Sequence, residues 1–278
     1  MSIIKDPHLA EVLNTAHPDN LAILADHITD KGEGRIALSG DVCKRLTEAA
    51  KRKIFSESDR ACIAEEVQRY AGNTFMNLFR GGEGVSYREL LTDVASRFSI
   101  DVSPNESVSD IEMAIIKKVL IQSVEKMTPE EREELAKQMG TKHSTAAGPI
   151  AASALITLIR STGFAPYKLA AIVANAIAKA LLGRGLTFAA TGTLMRGISV
   201  LSGPVGWAIT FLWASVDLAS PAYRITVPCV LQIAFMRQAA KVRLCSNCEG
   251  ELVQDAPFCM HCGTKVPGGT WPQDKAVD

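Results

Sequence analysis

The clearest chemistry in this sequence lies in four cysteines near its C-terminal end. Cys245-Ser246-Asn247-Cys248 is followed, ten residues later, by Cys259-Met260-His261-Cys262. Two residues between thiols let a tight turn aim both sulfurs at one ion. Two such turns facing each other supply four thiolates in a tetrahedron, a donor set that suits Zn²⁺. Four sulfurs leave no open coordination position, so the site reads as structural rather than catalytic. The segment around them is too short to build a core. Metal binding must therefore supply most of its folding free energy, roughly 10–16 kcal/mol for structural zinc sites. Gly250 and Gly263 follow the two turns, and Leu252, Val253 and Phe258 are the expected apolar plug.

The same spacing admits two disulfides, and four thiolates also suit iron. Met1-Ser2-Ile3-Ile4-Lys5-Asp6 runs into charged, helix-like sequence rather than a signal peptide. That predicts a reducing, cytoplasmic setting, where the spacing reads as metal rather than disulfide. His261 could replace a cysteine as ligand, but four thiolates suffice, so it is expected as an exposed turn residue. Cys43, Cys62 and Cys229 are scattered singly and read as small buried hydrophobes.

Catalytic chemistry is otherwise absent. His8, His17, His27, His143 and His261 form no HExxH, and there is no GxSxG and no Walker lysine. Gly81-Gly82-Glu83-Gly84 has the glycines of a phosphate loop, but no strand precedes it and no Lys-Ser/Thr follows. A non-enzymatic protein is expected. Nucleic acid is not an expected partner, because Lys241, Arg243 and Lys265 around the ribbon are offset by Glu249, Glu251 and Asp255. A ribbon that docks a protein fits better.

The elements that carry this module are helical. The 278 residues are 47% hydrophobic, 22% charged and only 6% aromatic, a globular balance rich in helix formers. The net charge of zero hides a split, with −5 over residues 1–143 and +5 over 144–235. An all-α body is predicted. It comprises an acidic amphipathic region (1–143), an apolar helical hairpin region (144–243), a zinc ribbon (244–266) and a disordered tail (267–278).

In the first region Leu9, Val12 and Leu13, then Leu21, Leu24, Ala25 and Ile28, recur at helical spacing. Gly32-Glu33-Gly34 marks a turn, and a helix over 57–79 carries Ile63, Val67, Tyr70, Phe75, Met76 and Phe79 inward. Ser86 with Glu89 is a capping box, and Ser109-Asp110-Ile111-Glu112 reads as another start, through Lys126. Thr128-Pro129-Glu130-Glu131 opens a third helix, stopped by Gly140. Apolar helices follow over 151–159, 166–182 (ending at Gly183), 186–200 and 222–242, with a bend at Gly203-Pro204-Val205-Gly206 before Trp207–Val216. Gly197–Val216 is long enough to span a bilayer but broken at Gly203-Pro204. A soluble bundle that buries this hairpin, a constitutive membrane hairpin and a form that inserts when triggered all fit it.

Two stretches carry a family resemblance. One runs Ala71-Gly72-Asn73-Thr74 through Asn77-Leu78-Phe79-Arg80-Gly81 to Tyr87-Arg88-Glu89-Leu90-Leu91-Thr92-Asp93-Val94. The other is Ala222-Tyr223-Arg224-Ile225-Thr226-Val227-Pro228-Cys229-Val230-Leu231-Gln232-Ile233-Ala234, preceded by Gly203-Pro204-Val205-Gly206. Together they resemble the bacterial YaaW-like family of uncharacterised proteins, itself similar to the ubiquinol–cytochrome c chaperone domain. The likeness spans residues 8–242. It implies help in assembling a respiratory membrane complex, with the zinc ribbon as an added docking or folding module. Within the second stretch Arg224 needs a partner in an apolar region, and Asp217 is the nearest acid. Gln232 reads as a polar core residue or a helix–helix contact.

The resulting expectation is an assembly-chaperone-like interaction protein at or near the cytoplasmic membrane. It would hold a protein client and touch the membrane, peripherally or by insertion, through 144–235. The rival expectation is a membrane-permeabilising effector whose apolar hairpin stays sequestered until triggered.

Overall fold

The computed structural model describes residues 4–35, 38–72, 85–139, 150–161, 166–186, 223–245, 247–248, 251–252, 256–260 and 262–267. Ten helices are formed among them: α1 (Pro7–Thr15), α2 (Pro18–Thr29), α3 (Gly40–Arg52), α4 (Glu57–Gly72), α5 (Tyr87–Arg97), α6 (Val108–Val124), α7 (Pro129–Gln138), α8 (Ala152–Arg160), α9 (Pro166–Leu182) and α10 (Tyr223–Ala240). Two short strands follow, β1 (Arg243–Leu244) and β2 (Glu251–Leu252), paired antiparallel with Arg243 opposite Leu252. The all-α body with a small C-terminal module is the architecture expected.

Local sequence explains most helix ends. The Asp6 carboxylate accepts from the backbone N–H groups of His8 and Leu9 and caps α1, with Pro7 at the first helical position. Ser86 and Glu89 complete a reciprocal capping box at α5. Thr128 and Glu131 do the same before α7 (Thr128 N–H to Glu131 Oε2, 2.9 Å; Glu131 N–H to Thr128 Oγ1, 3.3 Å). Gly183 ends α9 at φ +70°, where a side chain would be strained. The start of α6 differs from expectation. Ser107, not Ser109, is its cap and accepts from the Asp110 N–H, so Glu112 is not a capping residue and faces inward. The second half of the predicted 57–79 helix, the Gly140 stop, the 186–200 and 207–216 helices, the Gly203 bend and the Gly197–Val216 stretch lie outside the described residues.

One continuous apolar cluster runs from Ile4 to Met236 and takes side chains from every helix. The acidic and apolar regions therefore share a core. α10 lies at its centre, packed against α9, α2, α6, α4, α1 and α5. From Ile225 to Gln238 every α10 side chain is buried. Helix α9 is buried around most of its circumference, and its Ala170, Ala171, Ala174, Ala176 and Ala178 permit close helix approach. Tyr167 stacks on Phe235, with centroids 5.9 Å apart, where α9 crosses α10.

Polar groups pin α10 in this apolar setting. Arg237 donates to Glu112 Oε2 on α6 (2.9 Å), Glu11 Oε2 on α1 (2.6 Å) and the His8 carbonyl (3.0 Å). Tyr87 on α5 donates to the other Glu112 oxygen at 2.8 Å, and its backbone N–H donates to Asp6. A buried carboxylate is tolerable only when both oxygens are satisfied, and here they are. At the other end of α10, Tyr223 Oη donates to Asp93 (2.8 Å) and accepts from Arg97 (2.9 Å), whose guanidinium lies 4.7 Å from the Tyr223 ring centroid. Gln232 joins α10 to α2 by donating to the Asn20 carbonyl at 3.2 Å. Among the described residues no helix is long and apolar enough to cross a membrane.

Candidate metal centre

α10 ends at Ala240 and β1 begins at Arg243, so only Lys241 and Val242 separate the central helix from the ribbon. Lys241 Nζ and Gln238 Nε2 both donate to Ser109 Oγ at the start of α6 (3.0 and 3.2 Å). Val242 packs against the main core. The first thiol, Cys245, therefore leaves a fixed point on the body.

Among the described residues, the ribbon is framed by two turns. The β1–β2 pair holds the first. An isolated antiparallel bridge between Phe258 and Lys265 frames the second. Cys259 donates its N–H to the Thr264 carbonyl (2.8 Å), and Gly263 donates to the Cys259 carbonyl (2.9 Å) from φ +73°. That positive φ is why glycine follows the second cysteine pair.

These turns bring Cys245, Cys248, Cys259 and Cys262 together, with all four Sγ atoms within 4.8 Å of one another. The shortest separations are Cys245–Cys262 at 3.6 Å and Cys248–Cys259 at 3.5 Å. Both exceed a bonded S–S distance of about 2 Å, and none of the four is in a disulfide. Four thiols so placed could hold one metal ion. Their surroundings suit thiolates. The Asn247 N–H donates to Cys245 Sγ at 3.4 Å, and its side-chain amide donates to Cys262 Sγ at 3.8 Å. The Thr264 hydroxyl lies 3.2 Å from Cys262 Sγ. The side-chain hydrogen bond with Thr264, foremost, draws the Cys262 thiol down to about 5, and backbone hydrogen bonds lower Cys245. Cys245 and Cys259 are buried, Cys248 is half-buried and Cys262 is exposed.

The expected apolar plug is only partly present. Leu252 is half-buried, but Phe258 is 41% exposed and Met260 79% exposed. Val266, which the sequence reading passed over, is the buried residue, fixed by its N–H to the Pro257 carbonyl at 2.8 Å. Val253, Gly250 and His261 lie outside the described residues.

Among the described residues, the others singled out from the sequence form no second centre. Cys43, Cys62 and Cys229 are buried on separate helices, and burial pushes Cys229 up to about 12 and Cys62 upward. They are small core residues, as expected. His17 caps α2 by accepting from the Asp19 N–H (3.3 Å), His8 is half-buried and His27 is buried, while His143 lies outside the described residues. Arg224 does not need the partner it was expected to have, because it points outward and is exposed. Asp217 lies outside the described residues. Among the described residues the buried arginine is Arg237, which the sequence reading missed. A signal was available in Glu112, a charge on the face of α6 that otherwise presents Ile111, Ile115, Ile116 and Val119.

No family model matches the chain, and no solved structure matches it. Relatives are nevertheless clear. A UPF0174 protein of Helicobacter pylori is 42% identical over 176 residues, covering 63% of this chain and 69% of the relative. A second from the same organism is 37% identical over 184 residues, covering 64% of this chain and 88% of the relative. The Escherichia coli UPF0174 protein YaaW is 28% identical over 176 residues, covering 63% and 70%. With 42% identity extending over 69% of a relative's length, the chain belongs to the UPF0174 family.

Proposed function

We propose that this chain is a non-enzymatic interaction protein of the assembly-chaperone kind, working at the cytoplasmic face of a membrane. Its helical body holds an apolar client, and a zinc-loaded ribbon docks a second protein. The observation that carries this reading is the ribbon itself. Four thiols are gathered within 4.8 Å on a segment with almost no core, and that segment turns Phe258 and Met260 toward solvent. Exposed aromatic and thioether side chains on a rigid knuckle are the groups that anchor protein interfaces. The ion is zinc, held by Cys245, Cys248, Cys259 and Cys262, because a closed set of four soft donors satisfies its tetrahedral preference. The membrane setting and the chaperone role rest on the apolar composition of 144–235 and on the family resemblance.

The test is affinity isolation from cells at native expression, with the wild-type chain and Met260→Asp compared. The wild type is expected to bring down a membrane-protein or complex-assembly partner. Met260→Asp is expected to lose it while elemental analysis still finds about one zinc per chain. Equal recovery by both proteins, or no such partner with the wild type, overturns the docking role. Iron in place of zinc would overturn the metal assignment alone. No specific observation favours the membrane-permeabilising reading, and α10 carries Arg237, which is tied to three groups on two helices of the body, α1 and α6.

A further inference from the structure

We infer that the C-terminal end of α3 is a contact surface for anionic lipid, built from Lys51, Arg52, Lys53 and Ile54. This patch is remote in sequence from both the ribbon and the apolar 144–235 region. Its evidence is independent of theirs.

The first observation is Ile54. It is 69% exposed, and among the described residues it is the one large hydrophobic of the helical body that is exposed. The helix end explains why an apolar residue stands there but not why it is bare. Lys53 adopts φ +52° and its N–H bonds to the Ala50 carbonyl, while the Ile54 N–H bonds to the Ala49 carbonyl at 3.2 Å. This is the double hydrogen bond of a Schellman motif, in which the residue after the left-handed position usually covers an apolar residue one turn back. Here that residue is Ala49, already buried. Ile54 has nothing to cover and projects into solvent. The left-handed position, where glycine is favoured, is occupied by lysine, which adds a cation at the tip.

The second observation is charge. Residues 44–54 contain Lys44, Arg45, Lys51, Arg52 and Lys53 against Glu48 alone, and all six side chains are exposed. Three of the cations have partners: Arg45 with Asp59 (2.6 Å), Arg52 with Glu48 (3.9 Å) and Lys53 with Asp19 (2.5 Å). Lys44 and Lys51 have none among the described residues. The Arg52–Glu48 pair joins two exposed side chains at long range and yields easily.

One exposed aliphatic side chain directly after three exposed basic residues at a helix end fits a bilayer surface better than a protein. Lysine and arginine stems can lie along the acyl boundary while their charges stay with headgroup phosphates. The patch has neither the aromatic anchor nor the pocket that a protein hot spot uses. A single apolar residue with a few cations gives weak, reversible and salt-sensitive attachment.

The test is co-sedimentation of the full chain with phosphatidylcholine vesicles made with and without phosphatidylglycerol. Binding is expected only when the anionic lipid is present. It should fall at least tenfold, roughly, in Lys51→Glu/Arg52→Glu, since each cation near an anionic surface contributes about 1 kcal/mol. It should also fall in Ile54→Asp, and when salt shortens the screening length from about 8 to about 3 Å. All three positions are exposed, so an unchanged thermal transition controls for folding. Wild-type levels of binding in both variants overturn the patch while leaving a membrane role for other segments. Absence of vesicle binding, or salt-sensitive self-association abolished by Lys51→Glu/Arg52→Glu in its place, overturns the lipid assignment without touching the ribbon reading.

Discussion

Arg237 and Glu112 show how a charged pair can stand in the middle of an apolar core. Glu112 is fully buried, with one oxygen on Arg237 Nε and the other on the Tyr87 hydroxyl. Burial pushes the Glu112 carboxyl up, and Arg237 and the Tyr87 hydroxyl act against that push. Deleting one partner leaves the other unsatisfied. Arg237→Met is expected to cost about 3–5 kcal/mol in urea unfolding. The double change Arg237→Met/Glu112→Met should cost clearly less than the sum of the two single changes. Simple additivity would mean that the pair is not coupled. His27 acts through pH. Burial, helped by the nearby Arg35 charge, lowers it from 6.5 to about 3, so it stays neutral in the folded protein. Its folded value lies below its unfolded value, so its contribution is fully present above about pH 6.5. That contribution is lost as the pH falls toward about 3, because only the unfolded chain takes up the proton. Over that whole window the loss amounts to about 4–5 kcal/mol. Urea midpoints measured from pH 7 to pH 4 should drop steeply in the wild type and more gently in His27→Gln; parallel slopes would remove His27 as the cause.

At the level of elements, the parts that were legible in the sequence were those set by nearby residues. Ser86 and Glu89 announce α5, Gly183 ends α9, and the four cysteines mark the ribbon through spacing alone. The start of α6 shows the limit. Ser107-x-x-Asp110 and Ser109-x-x-Glu112 both match a capping box, and local pattern cannot choose between them. The choice is tertiary: Glu112 must reach Arg237, 125 residues away in sequence, so the cap falls on Ser107. The outward Arg224 and the exposed Phe258 differ from expectation for a related reason. Residue type does not say which face of an element meets the core. In the ribbon, moreover, four clustered thiols that could hold a metal ion stand where a core would have buried Phe258. From that replacement comes a prediction. Cys259→Ser, or prolonged chelation, should abolish amide-exchange protection in residues 243–266 and leave the helices protected, with the far-UV spectrum almost unchanged. Persistent protection of the Cys259, Gly263 and Val266 amides would show that the two turns hold without metal.

At the scale of the whole molecule, the order of the chain and the order of the core disagree. Among the described residues, the helix at the centre of the core, α10, is the last to be made, and it packs against five of the first six helices. The charge split at residue 143 and the apolar composition beyond it suggest two separable parts. The core joins them. Leu169, Ile172, Val173, Val230, Ile233 and Phe235 belong to the same cluster as Leu21, Leu46, Ile63, Leu90 and Ile116. Without α9 and α10, the inward faces of α2, α4 and α6 would lose much of their cover, and Glu112 would lose the charge that pairs with it. Residues 1–143 alone are therefore expected to form an expanded state that binds a hydrophobic dye and melts without a cooperative transition. Residues 1–243, which lack only the ribbon and tail, should unfold in one step, with a midpoint close to that of the full chain. Cooperative unfolding of 1–143 on its own would mean that the first region folds as an independent domain. The apolar helices would then be free to leave it for a membrane or a client at no cost to its stability. If it does not unfold cooperatively, any engagement of α9 and α10 elsewhere must take the body apart, and the client must instead be held on the surface of an intact core.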